Sequence, residues 1–159
     1  YQNLIIMRTF SKAWGLSGIR LGYMISNSKL CSYISKCRSL VETNSMTYQI
    51  ALWALKNKIF KSHVKQVKMG AKFIKNKLQS IGDVFHGGNL TNAIILRLPT
   101  VKSTTSLRNF LAREKIYIRN KFETPIEKYV RISLCSPKKL SIFFEAYLKW
   151  KKTLVNNVN

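Results

Sequence analysis

The sequence predicts an α/β chain in two parts, the end of a larger α/β domain followed by a small α+β domain. Three observations carry that expectation. Short apolar runs at Leu4-Ile5-Ile6-Met7 and from Leu21 to Ser26 read as buried strands of an α/β sheet. Phe60, Val64, Val67, Ala71, Ile74, Leu78 and Ile81 step by four and three alternately, the stripe of one long amphipathic helix with lysines outside. The order β, α, β, β, α from Ala93 onward suits a small α+β unit.

The elements follow in chain order. Between the first two strands, residues 10–20 form a turn rich in glycine and hydroxyls. From Ser28, expected as a capping serine, the positions Leu30, Tyr33, Ile34, Cys37 and Val41 are helical in spacing. Thr43-Asn44-Ser45 interrupts that pattern and can cap a second helix through Ile50, Trp53 and Ala54. After the long helix, Gly82 and Gly87-Gly88 mark turns around a short strand at Val84-Phe85. Ala93 to Leu98 reads as a strand stopped by Pro99. Leu107, Phe110 and Leu111 mark a short helix, and Ile116 to Arg119 another strand. In Tyr129 to Leu134, alternation puts Val130, Ile132 and Leu134 on one face and Tyr129, Arg131 and Ser133 on the other. Ser136 as N-cap and Pro137 in the first turn start a last helix, with Leu140, Phe143, Phe144, Tyr147 and Leu148 as its buried stripe.

An apolar fraction of 46% supplies a sizeable core and argues against disorder. No apolar run approaches the roughly 18 to 20 residues of a membrane span, so a soluble cytoplasmic protein is expected. Cys31, Cys37 and Cys135 lack zinc-ligand spacing and read as buried thiols, with no metal or disulfide expected. His63 and His86 have no Ser, Asp or Cys partner pattern, and neither is assigned to catalysis.

Charge is the anomaly. Twenty-eight Lys+Arg against six Asp+Glu gives +22. The lysines are spread along polar helix faces without the aromatic interleaving or motifs of a nucleic-acid-binding domain. Abundant Asn, Ile and Lys fits a composition bias of the source proteome. Nucleic acid is not the expected partner; nonspecific binding to polyanions remains possible from the charge.

The chemistry concentrates in Thr9-Phe10-Ser11-Lys12-Ala13-Trp14-Gly15-Leu16-Ser17-Gly18-Ile19-Arg20-Leu21-Gly22-Tyr23. One amine is framed by two hydroxyls, glycines and, eight residues later, an arginine. That set suits pyridoxal phosphate (PLP): a lysine amine can hold the cofactor's aldehyde as a Schiff base, while hydroxyls and a guanidinium bind its phosphate.

This segment resembles the PLP-lysine segment of fold-type-I, class I/II aminotransferases, most closely the histidinol-phosphate aminotransferase-like branch, whose pattern runs T-x-S-K-A-x-G-L-A-G-x-R-x-G-Y. Ser17 stands where alanine is usual. The resemblance continues more weakly through Asn92, Arg119 and Val130-Arg131-Ile132-Ser133. It implies a C-terminal portion of that fold, residues 1–70 as the end of the large domain with its connecting helices and 71–159 as the small domain, with Lys12 as the catalytic Schiff-base lysine and Thr9, Ser11 and Arg20 on the cofactor phosphate. Arg131, and more loosely Arg119, would grip the substrate's carboxylate or phosphate. On the residues alone, Thr9 and Ser11 could instead cap a turn, and the arginines could be surface charges. Burial and nearby cations are expected around Lys12 for that role.

The implied activity is transfer of an amino group between an amino acid or phosphorylated amine and a 2-oxo acid, in a homodimer. A PLP-dependent decarboxylase or lyase of the same fold, threonine-phosphate decarboxylase-like, and a non-catalytic basic binding module are the alternatives. Cys135, Lys138 and Lys139 depart from the family, which often has glycine and then an acidic residue there. The family's pyridine-nitrogen aspartate, ring-hydroxyl asparagine, stacking aromatic and first phosphate-binding loop precede the lysine and have no counterpart here; Asp83, the one aspartate, follows it. The chain thus reads as a piece of a longer enzyme, inactive or nearly so alone.

Overall fold

The computed structural model describes residues 1–39 and 42–156. The chain divides into two compact units, Tyr1–Val64 and Lys65–Asn159.

The first unit opens with strands β1 (Ile6–Thr9) and β2 (Gly22–Ile25), joined through a single 3-10 turn at Ser17–Ile19. They pair antiparallel, with Ile6 opposite Ile25 and Thr9 opposite Gly22. Gly22 is required by close approach: a Cβ there would lie 2.7 Å from the Arg8 carbonyl oxygen. The expectation of buried strands is corrected. All of β1 is exposed, and so is β2 except for Met24. Ile and Met runs are written for burial on both faces, yet among the described residues of this unit the two strands pair only with each other.

Helix α1 (Ser28–Ser35) is capped by Asn27, not Ser28: the Asn27 side chain accepts from the Leu30 N–H at 3.0 Å. An amide oxygen serves the N-cap as well as a hydroxyl does, so the cap moved by one residue. The helix ends before Cys37, and Val41 lies outside the described residues. Helix α2 (Ser45–Asn57) is capped by Asn44, which accepts from the Thr47 N–H at 2.8 Å. Thr47, Ala51 and Ala54 are its buried positions. Helix α3 (Phe60–Ser80) carries the long stripe, with Ala71, Ile74 and Leu78 buried.

In the second unit, strands β3 (Phe85–Gly87), β4 (Ala93–Arg97) and β5 (Tyr129–Ser133) form an antiparallel sheet with β4 in the centre. Helices α4 (Val101–Arg113) and α5 (Pro137–Asn156) complete it. The alternation in β5 is realised: Val130 and Ile132 are buried, whereas Arg131 is half-buried. These side chains join Ile94 and Leu96 of β4 in one core with Ala71, Ile74 and Leu78 of α3, Leu107 and Leu111 of α4 and the α5 stripe. Tyr147 is buried as expected, Ala146 and Trp150 extend that stripe, and Leu148 is only partly buried. Trp150 Nε1 donates to Ser106 Oγ at 3.1 Å, tying α5 to α4.

Two expectations shift. The short strand begins at Phe85, one residue later than expected. Residues Ile116–Arg119 do not form a strand; the segment contributes one bridge, Arg119 opposite Arg131. Its own apolar residues Ile116 and Ile118 pack on the core, which anchors the segment without a continuous ladder. Among the described residues, no helix is long and apolar enough to cross a membrane.

Candidate functional site

The first unit gathers its polar groups at the Thr9 end of the β1–β2 ladder. Thr9 Oγ1 lies 3.0 Å from Ser11 Oγ and accepts from the Ser11 N–H at 3.0 Å. The two hydroxyls are therefore neighbours around a tight turn. The chain then folds back: the Phe10 N–H donates to the Leu21 carbonyl at 3.1 Å, and the Leu16 N–H donates to the Phe10 carbonyl at 3.0 Å. Phe10 is buried, and its ring packs against Trp14 at 5.4 Å and Tyr23 at 6.0 Å between centroids. Trp14 in turn meets Phe60 at 4.6 Å. These aromatics hold the turn from beneath while its polar groups remain outside.

Lys12 follows Ser11 on this turn, with its carbonyl accepting from the Gly15 N–H at 3.0 Å. Its side chain is exposed. The burial expected of it is therefore not supplied by the residues of this unit. Arg20 sits just before β2 in a left-handed conformation, φ 53° and ψ 38°, an uncommon setting for a residue with a Cβ. Its Nη1 donates to the Ser17 carbonyl at 2.9 Å. That bond fixes the guanidinium while leaving its other donors available to an anion. The fold thus brings Thr9, Ser11, Lys12 and Arg20 to one end of one ladder.

The second unit brings Arg119 and Arg131 side by side. The Arg131 N–H donates to the Arg119 carbonyl at 2.8 Å, and the Arg119 N–H returns at 3.4 Å. Bridge partners share a sheet face, here the face turned away from the core. Arg119 also stacks its guanidinium over Phe122, 5.2 Å from the ring centre. Arg131 lines a cavity with His86, Thr91, Asn92 and Ile95. The Asn92 carbonyl accepts from the Leu134 N–H at 2.8 Å, which extends the β4–β5 pairing.

His86, to which the sequence assigns no role, shares this face with Arg131. It is opposite Ile95, which is opposite Arg131, so the three lie in one row on one face. The signal was available in principle, because strand alternation with the correct register puts His86 on the outward face. Register, however, is not legible from one strand.

Comparison with known proteins places these residues in a family. The profile of aminotransferase class I and II matches residues 1–146. The chain belongs to that family. Among curated relatives, histidinol-phosphate aminotransferase 2 of Oceanobacillus iheyensis is 33% identical over 136 residues, covering 84% of this chain and 36% of the relative. The histidinol-phosphate aminotransferase of Sinorhizobium meliloti, solved in complex with pyridoxal-5'-phosphate, superposes with a TM-score of 0.82 at 22% identity, over 96% of this chain and 42% of that one. That of Clostridium acetobutylicum gives 0.81 at 24%, over 98% and 47%. The chain therefore spans less than half the length of these class I and II aminotransferases, and its mixed helix and sheet is a portion of their fold.

Proposed function

We propose that this chain is the lysine-bearing portion of a PLP-dependent aminotransferase. The complete enzyme moves an amino group between an amino acid or phosphorylated amine and a 2-oxo acid, as a cytoplasmic homodimer. The observation that carries this reading is the convergence of Thr9, Ser11, Lys12 and Arg20 at one end of the β1–β2 ladder in a class I and II chain. Two adjacent hydroxyls and a guanidinium suit a phosphate, and an amine within the same turn suits an aldehyde. The donor set fits the group.

When bound, PLP supplies that aldehyde and a ring that draws electron density from the substrate's α-carbon. Thr9 and Ser11 would donate to the phosphate, and the Arg20 fork would add charge-assisted bonds. Lys12 Nζ would hold the cofactor's aldehyde and, when free, would be the amine that moves the proton of the substrate α-carbon. Arg131 and Arg119, on the outward face of the sheet, bind the substrate's carboxylate or phosphate.

The test uses the full-length protein with PLP, its visible spectrum before and after borohydride, and a Lys12→Ala variant. A cofactor band that reduction fixes to the peptide containing Lys12, absent from the variant, is the expected result. Folded protein with no such band would remove the proposal and favour a non-catalytic basic module.

A further inference from the structure

Helix α3 has a second stripe besides its apolar one. Lys65, Lys68 and Lys72 follow at spacings of three and four, so they share one helix face, and all three are exposed. Lys75 continues the row and is held by Asn89, to which its Nζ donates at 2.6 Å. At 1.5 Å rise per residue the row from Lys65 to Lys75 extends about 15 Å along the axis. Nothing on the helix offsets it. Between Glu42 and Asp83 the chain has eight lysines and no carboxylate. Among the described residues, the two ion pairs, Arg38 with Glu42 and Lys151 with Asp83, leave the row untouched.

A solvated helix face ordinarily alternates its charges, because like charges three and four apart repel by a few tenths of a kcal/mol per pair. Here the repulsion is unrelieved along three helical turns. A row of compact ammonium groups on flexible stems matches a row of phosphates as point charges, without base readout. An anionic bilayer is the poorer match. Interfacial helices insert an apolar face, and the apolar face of α3, Ala71, Ile74 and Leu78, is committed to the core.

We propose that the Lys65-Lys68-Lys72-Lys75 face of α3 docks on the phosphate backbone of a nucleic-acid duplex, independently of sequence. This site is separate from the proposed transaminase chemistry and does not depend on it.

The test is fluorescence anisotropy of the full-length protein on a labelled 20-base-pair DNA of mixed sequence, across a salt series. Two triple variants with the same charge change are compared, Lys65→Gln/Lys68→Gln/Lys72→Gln on α3 and Lys138→Gln/Lys149→Gln/Lys152→Gln on α5. All six lysines are exposed, and circular dichroism verifies folding. At about 0.9 per phosphate contact, the α3 variant should lower the slope of log K against log salt by about 2.7 and weaken binding at least tenfold near 0.1 M salt. The α5 variant should change affinity less than threefold. Equal losses in both variants would show net charge acting without a site. Absence of duplex binding by the parent protein, or capture only by phosphatidylserine vesicles, would overturn the proposal outright.

Discussion

Tyr147 of α5 donates its phenolic hydrogen to Asp83 Oδ2 at 2.7 Å, and Lys151 one turn later reaches Oδ1 at 2.7 Å. Both oxygens of the chain's one aspartate are thereby used, and the turn after α3 is tied to the last helix. The Tyr147 ring is 1% exposed and stacks between Phe143 and Trp150. Tyr147→Phe keeps the ring and removes a bond to a charged acceptor, so it should cost about 1.5–3 kcal/mol of stability. Urea unfolding measures it; an unchanged midpoint would mean that Lys151 alone holds the turn.

The same contact sets an alkaline limit. Burial raises the Tyr147 pKa above that of a free phenol, and the Asp83 hydrogen bond and charge raise it further. With the folded pKa raised, the folded state retains a proton that the unfolded state loses above about pH 10. This contribution is therefore complete below that pH and falls as pH rises beyond it. The alkaline decline in melting temperature should be shallower in Tyr147→Phe than in the parent.

Gly70 is where α3 meets the connection from β5 to α5. A Cβ there would lie 1.8 Å from the Cys135 carbonyl oxygen and 2.9 Å from Leu140 Cδ1. Since the first obstacle is backbone, no rotamer change relieves it. Gly70→Ala should cost about 3 kcal/mol or more. Gly18→Ala, with nothing within 4 Å, should change stability by no more than about 1 kcal/mol. Thermal melts of the pair in parallel distinguish contact from loss of glycine as such.

If Thr9 and Ser11 donate to a cofactor phosphate, Thr9→Val and Ser11→Ala should each weaken PLP by about ten- to a hundredfold, since a bond to a charged group contributes about 1.5–3 kcal/mol. Arg20→Gln should weaken it further, having lost charge as well as geometry. Fluorescence titration of the full-length protein reports all three. Unaltered affinity in the hydroxyl variants would leave them the turn-closing role that their mutual hydrogen bonds already serve.

The thiols should differ in reactivity. The expectation of three buried thiols is corrected, because Cys37 lies beyond the end of α1 and is exposed, while Cys31 and Cys135 are half-buried; burial pushes the Cys135 thiol up, with Lys139 pulling it partly back. Because the thiolate is the nucleophile, iodoacetamide at neutral pH should modify Cys37 before Cys135. Mass spectrometry of timed aliquots decides the order.

Much of this chain is legible one segment at a time. The Lys12 motif pointed to the family, the four-and-three spacing from Phe60 to Ile81 marked α3, and alternation in Tyr129–Leu134 separated Arg131 from the core. Each depends on residues within a few positions of one another, where helix period, strand period and turn chemistry act directly. Tertiary structure alone decided the rest. It left Ile6 and Ile25 exposed, because apolar composition states a preference for burial without providing the surface that meets it. It set Arg119 against Arg131 and His86 in line with Ile95, because register belongs to pairs of strands. It gave Asp83 its partners 64 and 68 residues away and pressed Gly70 onto the Cys135 carbonyl. Those contacts join distant segments, and no local period of the sequence encodes which distant segment will arrive.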